Sequence, residues 1–367
     1  MTVPAHPGAR AQAQAANPAR GPAPTAPGVD DAISRQLVEA IIRDFPDHAP
    51  GTRPVHTLGV GAEGFFVASD VARQFCVAEH FQGHTVPVNV RFSNGSGSPQ
   101  RHDGWSDVRG MATRFHLKDG GATDLIAMTL GSFFSATVPD FLAFCQAAEQ
   151  TPVVVPSAWQ KLLGMLQLKP PPPDPPAGQT MNSTPGTLAY ANAHRPAQLA
   201  VFSAATIGAP VSYARASFHA VHTFIVLGAD QVRRPVRFVW QPVAGVATTD
   251  PKSEPVDDYL TAELKNRLAQ WPAEFVLMMT IGERGDDYAD PTRPWPAKRQ
   301  RVVMGLLSLT KLADDQVRDG EKISFNPCRV VPGIALSEDP ILHARRGAYE
   351  TSRQMRGGTG CPFHPEA

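Results

Sequence analysis

Arg345 and Tyr349, four residues apart, are the residues of this sequence whose types and spacing point most directly to chemistry. On a helix such positions are neighbours, so the guanidinium would stand beside the phenol oxygen and favour its anionic form. A phenolate is a hard, anionic ligand suited to ferric iron. The helix itself is well signalled. Asp339 is a natural N-cap, Pro340 follows at the first helical position, and Gly357-Gly358 form a stop after Arg353 and Arg356 in the last turns. Helical spacing puts Leu342, Arg345, Tyr349, Ser352 and Arg356 on one face. An amphipathic surface helix with a half-buried tyrosine would show the same pattern, so the choice falls to the rest of the chain.

Two other stretches carry candidate chemistry. Arg53 precedes His56 by three residues, and a glycine-rich run ending in Phe65-Phe66 follows. The small residues suit a strand passing close to something flat, with His56 available as a base or as an ordinary loop histidine. Val86–Ser93 alternates: Val88, Val90 and Phe92 on one face of a strand, Asn89, Arg91 and Ser93 on the other. An Arg and a Ser side by side could hold an anion and orient an imidazole.

These residues need a scaffold. Apolar spacing predicts helices over Asp31–Asp44, Pro139–Ala148, Ser157–Leu168 and Asp257–Gln270, and strands over Glu274–Thr280 and Arg301–Leu309. His219–Leu227 and Val236–Gln241, separated by a Gly-Ala-Asp turn, read as a hairpin. On a regular strand His219 and His222 would point to opposite faces, a poor geometry for one metal. Lys169–Pro176 is a proline run that reads as an exposed connector.

Composition narrows the class. The 367 residues suffice for one large domain or two ordinary ones. Lys+Arg and Asp+Glu are equal at 34 each, which gives no argument for nucleic acid or an anionic membrane. The four cysteines are scattered without a CxxC, which argues against a zinc site or disulfide framework and fits a reducing compartment. No apolar run approaches a membrane span and the N-terminus has no apolar signal core, so the expected location is cytoplasmic. Residues 1–29 are rich in Ala, Pro, Gly and Gln and are expected to be disordered; 30–357 form the folded domain and 358–367 a flexible tail.

Taken together, the motifs resemble the haem catalases. Arg345-x-x-x-Tyr349 resembles their proximal helix, Arg53-Pro54-Val55-His56 their distal-histidine segment, and Val90-Arg91-Phe92-Ser93 the strand that follows. Asp107–Phe115, Asp124–Phe134, His222-Thr223-Phe224 and Glu321–Pro327 match further blocks in family order. The similarity runs, with gaps, from about residue 50 to about 357, and the chain stops just after the ligand helix. The resemblance implies an α+β fold: a closed antiparallel eight-stranded β-barrel with surrounding helices, without the C-terminal extensions of larger catalases.

It also implies roles. Tyr349 would be the proximal ligand to the iron of haem b. Arg345 would stabilise its phenolate, with His222 and Asp339 fixing that Arg. His56 would be the distal acid–base group, held by Ser93, and Arg53, Arg91 and Arg356 would neutralise the propionates. One departure stands out: catalases carry an Asn where this chain has Met128, followed by Thr129, which is the remaining polar candidate there. Methionine cannot donate the hydrogen bond that steers peroxide. The family's Phe over the haem is also missing, in a shortened stretch near Val138. The implied activity is therefore a peroxidase that reduces hydrogen peroxide or organic hydroperoxides with a small organic reductant, with weak catalase activity. Two other readings stay open. One is an enzyme that rearranges hydroperoxides, like the allene oxide synthases; the other is a haem-binding or sensing protein, suggested by Cys361-Pro362. Whether the chain forms a homo-oligomer is not legible, and no NADPH site can be matched.

Overall fold

Eight strands wrap into one closed, antiparallel barrel. In chain order they are β1 (Gly59–Ala68), β2 (Thr85–Asn94), β3 (Arg109–His116), β4 (Ala122–Met128), β5 (Phe218–Leu227), β6 (Arg233–Pro242), β7 (Ala273–Ile281) and β8 (Arg301–Leu312). Their order around the barrel is β4-β3-β2-β1-β8-β7-β6-β5, and the pairing of Met128 with His219 closes it. A short β9 (Ile334–Leu336) adds to β5. The computed structural model describes residues 31–45, 47–148, 185–250 and 258–357, together with 159, 162, 163 and 166. The expected N-terminal segment, the tail with Cys361, the proline run and most of the helix expected over Ser157–Leu168 lie outside these residues.

Strand alternation decides what faces where. Val86, Val88, Val90 and Phe92 of β2 are buried in the barrel core, which is filled by Phe66, Phe115, Phe218, Trp240 and Phe275. Phe66 and Phe115 meet edge to face with centroids 5.3 Å apart, a favourable aromatic geometry. The alternate residues Arg91 and Ser93 face outward, as the pattern predicts.

The helices are α1 (Asp31–Arg43), the short α2 (Ala72–Phe75), α3 (Val138–Ala147), α4 (Pro185–Ala193), α5 (Arg195–Thr206), α6 (Tyr259–Leu268) and α7 (Pro340–Met355). A second apolar cluster joins Leu37 and Ala40 of α1, Phe141 and Cys145 of α3, Phe133, Val221 and Ile341. Ile341 enters that cluster and Leu342 enters the barrel core, both fully buried. The first turn of α7 is thereby fixed against the barrel wall. Cys76, Cys145 and Cys328 are free thiols. Among the described residues no helix is long and apolar enough to cross a membrane.

The hairpin of β5 and β6 holds one irregularity that periodicity does not reveal. Ala220 pairs with Phe238 and Phe224 with Val236, so four residues of β5 advance against two of β6. Without the bulge His222 would share the inward parity of Phe218, Ala220 and Phe224. The bulge re-aims it toward α7. The expectation that His219 and His222 stand on opposite faces, which assumes a regular strand, therefore does not hold.

One core group makes the fold acid-sensitive. His80 lies between the rings of Phe81 and Phe115, with centroids 4.1 and 4.8 Å away, and its buried Nδ1 has no hydrogen-bond partner among the described residues. Burial, reinforced by His84, pushes it down to about 3. The folded chain thus refuses a proton that the unfolded chain accepts below about pH 6.5, so stability is lost as pH falls from there toward 3. His80→Phe removes that liability. Its stability advantage over the parent should grow by about 2 kcal/mol between pH 7 and pH 5, measured by denaturant unfolding at each pH. A difference independent of pH would contradict this account.

Candidate active site

The site is assembled on the outer face of β1–β4 and beneath α7. The α7 side is a chain of four polar groups. Asp339 caps the helix: its Oδ1 accepts from the amides of Ile341 at 2.9 Å and Leu342 at 3.2 Å. Its Oδ2 lies 2.7 Å from His222 Nδ1, His222 Nε2 lies 2.7 Å from Arg345 Nη1, and Arg345 Nη2 donates to Tyr349 Oη at 2.8 Å. Arg345 has only donors, so His222 Nε2 must accept and Nδ1 must carry the proton donated to Asp339. The imidazole is therefore neutral. Burial and the Arg345 charge lower its pKa in the same direction. Phe133 packs here too, 5.9 Å from the Arg345 guanidinium carbon.

The other side is built on β2 and the loop before β1. His56 Nδ1 lies 3.0 Å from Ser93 Oγ. His56 has φ of 57°, in the left-handed region. Burial pushes it down to about 4, with Arg91 and Arg345 adding to the shift and Asp107 opposing it. Gly110 sits opposite Ser93, and a Cβ there would stand 2.7 Å from Ser93 Oγ and 2.9 Å from His56 Nδ1. The pair is seated in space that only glycine leaves.

Register extends this face. Ser93 pairs with Gly110, Gly110 with Met128, and Met128 with His219. Directly paired residues point to the same side of a sheet, so Met128 shares the face of the His56–Ser93 pair. Thr129 is the next residue. Its Oγ1 accepts the Arg109 amide at 3.0 Å, continuing the strand ladder. Thr129 remains a candidate: accepting the Arg109 amide leaves its O–H free to donate, while Met128 stands on the row itself.

Three arginines meet at the edge between the two sides. Arg53 Nη2 donates to the carbonyls of Glu321 at 3.0 Å and Ile323 at 2.7 Å, and Arg356 Nη1 to Glu321 O at 2.6 Å. Arg91 forms an ion pair with the Glu321 carboxylate at 3.0 Å. Burial and the charges of Arg91 and Arg356 lower Arg53 well below its ordinary value, and burial with Arg91 lowers Arg356. Arg53 Nε is buried with no acceptor among the described residues. Three cations against one carboxylate, with an orphaned donor, fit a ligand that brings its own carboxylates. The two sides meet at Glu321: Arg356 at the end of α7 and Arg53 both donate to its carbonyl, and Arg91 pairs with its carboxylate.

Sequence reasoning did not single out Gly110, Glu321, Asp107 or Phe133. Of these, only Gly110 carries a signal, an isolated glycine inside a strand pattern that implies close approach.

One polar set thus stands on the barrel wall and the other on the tyrosine helix, with three arginines at the edge between them. The chain belongs to the catalase family, whose model matches residues 34–163 and 189–362. It is 32% identical to a catalase-related peroxidase of Mycolicibacterium paratuberculosis, over 88% of this chain and 94% of that one. It is 26% identical to a catalase-related peroxidase of Synechococcus elongatus, over 88% of each chain. Catalase-2 of Bacillus subtilis matches at 28%, but over only 46% of its own length. Among solved structures a fungal catalase superposes with a TM-score of 0.70 at 20% identity, covering 84% of this chain and 60% of that one. That likeness concerns the barrel and its helices.

Proposed function

We propose that this catalase-family chain is a haem-dependent peroxidase, an oxidoreductase acting on peroxide and drawing electrons from a small organic donor. The observation that carries the reading is the arginine cluster with its unpaired Arg53 Nε, set between the Tyr349–Arg345 pair and the His56–Ser93 pair. The cofactor is haem b. Tyr349 would supply its proximal oxygen ligand, and Arg53 and Arg356 would take its carboxylates. When bound, the haem supplies the iron that accepts peroxide and the electrons for O–O cleavage.

The chain's own residues do the rest. With Nδ1–H donated to Ser93 Oγ, His56 keeps a lone pair on Nε2. That nitrogen takes a proton from the peroxide oxygen being bound and returns it to the oxygen that leaves as water. Neutral His222 and Asp339 hold Arg345, and Arg345 holds the phenolate. Met128 lines the His56 face with a thioether where catalases have an amide. The site can therefore split peroxide but steers a second peroxide molecule poorly, so oxygen release is weak and the organic donor does the reducing.

The test is the optical spectrum of haemin-loaded protein before and after one equivalent of peroxide, followed by addition of a phenolic donor. A Soret band that shifts with peroxide and returns with the donor is expected. A Soret band indifferent to peroxide would leave only a haem-binding role. Lipid hydroperoxide consumed without any donor would favour rearrangement. Met128→Asn should raise oxygen release from hydrogen peroxide by roughly tenfold, the value of one net hydrogen bond. Oxygen release by the parent at the rate of an efficient catalase would refute the assignment to Met128.

A further inference from the structure

We propose that Arg91 is a positioning residue for His56: its guanidinium clamps the His56–Thr57 backbone in the left-handed turn that brings the ring to Ser93. This rests on the reading of His56 as the peroxide-facing base. His56, Gln231 and Asp258 are the non-glycine residues with positive φ among the described residues. Gln231 lies in the turn between β5 and β6, and Asp258, before α6, is of a residue type that tolerates left-handed backbone. His56 is different. It carries a functional side chain in a conformation that L-residues with a Cβ resist. Strained backbone of this kind persists only where its surroundings over-determine it.

The surroundings can be named. The His56 amide donates to Gly95 O at 3.3 Å and the Thr57 amide to Ser96 O at 3.1 Å. The Thr57 hydroxyl lies 2.8 Å from Arg53 O and 2.9 Å from Gly97 O. That leaves the carbonyls of His56 and Thr57, and Arg91 takes both: Nη1 donates to His56 O at 2.9 Å and Nη2 to Thr57 O at 3.0 Å. The same guanidinium is anchored behind by Nε to Gly320 O at 2.7 Å and by Nη2 to Glu321 Oε1 at 3.0 Å. Four of its five N–H donors are thus spent on protein. Arg53 keeps its Nε without an acceptor among the described residues. The two arginines are therefore not equivalent: Arg53 has donor capacity for a carboxylate ligand, and Arg91 has almost none.

The fork geometry matters more than the charge. Two successive carbonyls on one side of a turn match the planar guanidinium, and a lysine ammonium cannot span them while holding Gly320 and Glu321. The sequence makes room for the fork. A Cβ at Gly59 would stand 2.6 Å from Arg91 Cζ, so the side chain crosses β1 where there is none.

Arg91→Lys tests this, because it keeps the charge and removes the fork. Arg53→Gln is the comparison. In apoprotein, Arg91→Lys should move the His56 ring resonances and speed Thr57 amide exchange by about tenfold or more, the loss of charge-assisted bonds to that turn. The readout is taken in apoprotein and so does not depend on the part that Arg91 plays among the three cations. Arg53→Gln should weaken haemin binding while leaving the His56 resonances in place. Unchanged His56 resonances and Thr57 exchange in Arg91→Lys would overturn the proposal. So would a loss of haemin affinity equal to that of Arg53→Gln with His56 undisturbed. If Arg91→Lys does not fold, Glu321→Gln substitutes at a half-exposed position that anchors Arg91. It should give the same pattern at smaller amplitude, and no change there would overturn the clamp. The apoprotein readout keeps this separate from the peroxidase reading, which fails instead if His56→Ala reacts with peroxide at the parental rate.

Discussion

His56→Ala should slow the reaction of the haemin-loaded protein with peroxide by between about 10² and 10⁴-fold, the usual contribution of a positioned general acid–base group. Haemin uptake should be little changed, because among the described residues the His56 ring bonds to Ser93 and not to Tyr349, Arg53 or Arg356. Stopped-flow absorbance at the Soret band separates the two effects. The pH profile adds a second signature. Burial, Arg91 and Arg345 hold His56 down to about 4, against Asp107. A histidine with a depressed pKa is neutral, and so competent to take a proton, at every pH above that value. The rate should therefore stay flat from neutrality down to about pH 5 and fall only below it. An acid limb near 6.5, where an unperturbed histidine titrates, would show that the ring is not buried as described.

Much of this site was legible in residue types and spacing, and the limits have physical causes. Period-two alternation places Arg91 and Ser93 on the outer face of β2, because strand geometry permits nothing else. The Asp339-Pro340 start and the glycine stop define α7 to within a residue or two, because capping is local chemistry. What escaped was non-local. His222 faces α7 only because two extra residues in β5 break its parity, and no composition signal marks that bulge. The partition between Met128 and Thr129 depends on the register of β4 against β3, which a single strand does not carry. The left-handed backbone of His56 is not marked by propensity, since even the enriched residue types, His among them, adopt it only rarely. Local conflict of this sort is expected at a functional site, where surrounding contacts override preference.

Tyr349→Phe should abolish tight haemin binding, lowering affinity by more than about 100-fold. Removing a partner of a metal ligand typically costs about 10–100-fold, and on the proposed ligation this change removes the ligand itself. The change deletes one oxygen from a half-buried position, so the helix should survive it: Ile341 and Leu342 remain buried and the Asp339 cap is untouched. Far-ultraviolet circular dichroism and thermal unfolding of the apoprotein should match the parent, which assigns the loss to ligation. The series Arg345→Gln, His222→Phe and Asp339→Asn should then grade the effect. Arg345→Gln removes the donor 2.8 Å from the phenol oxygen and leaves it without its cation, so affinity should fall by about 10–100-fold. His222→Phe takes away only the acceptor that orients Arg345, and its cost should be smaller. Asp339→Asn should split into two parts, because one oxygen caps the helix and the other holds His222. An amide can still offer its oxygen to the Ile341 and Leu342 amides, but its nitrogen cannot accept from His222 Nδ1. Stability should therefore change little while haemin affinity drops. A Tyr349→Phe protein that binds haemin as the parent does would mean that the iron takes its ligand elsewhere, and the chain from Asp339 to Tyr349 would then be a helix anchor and nothing more.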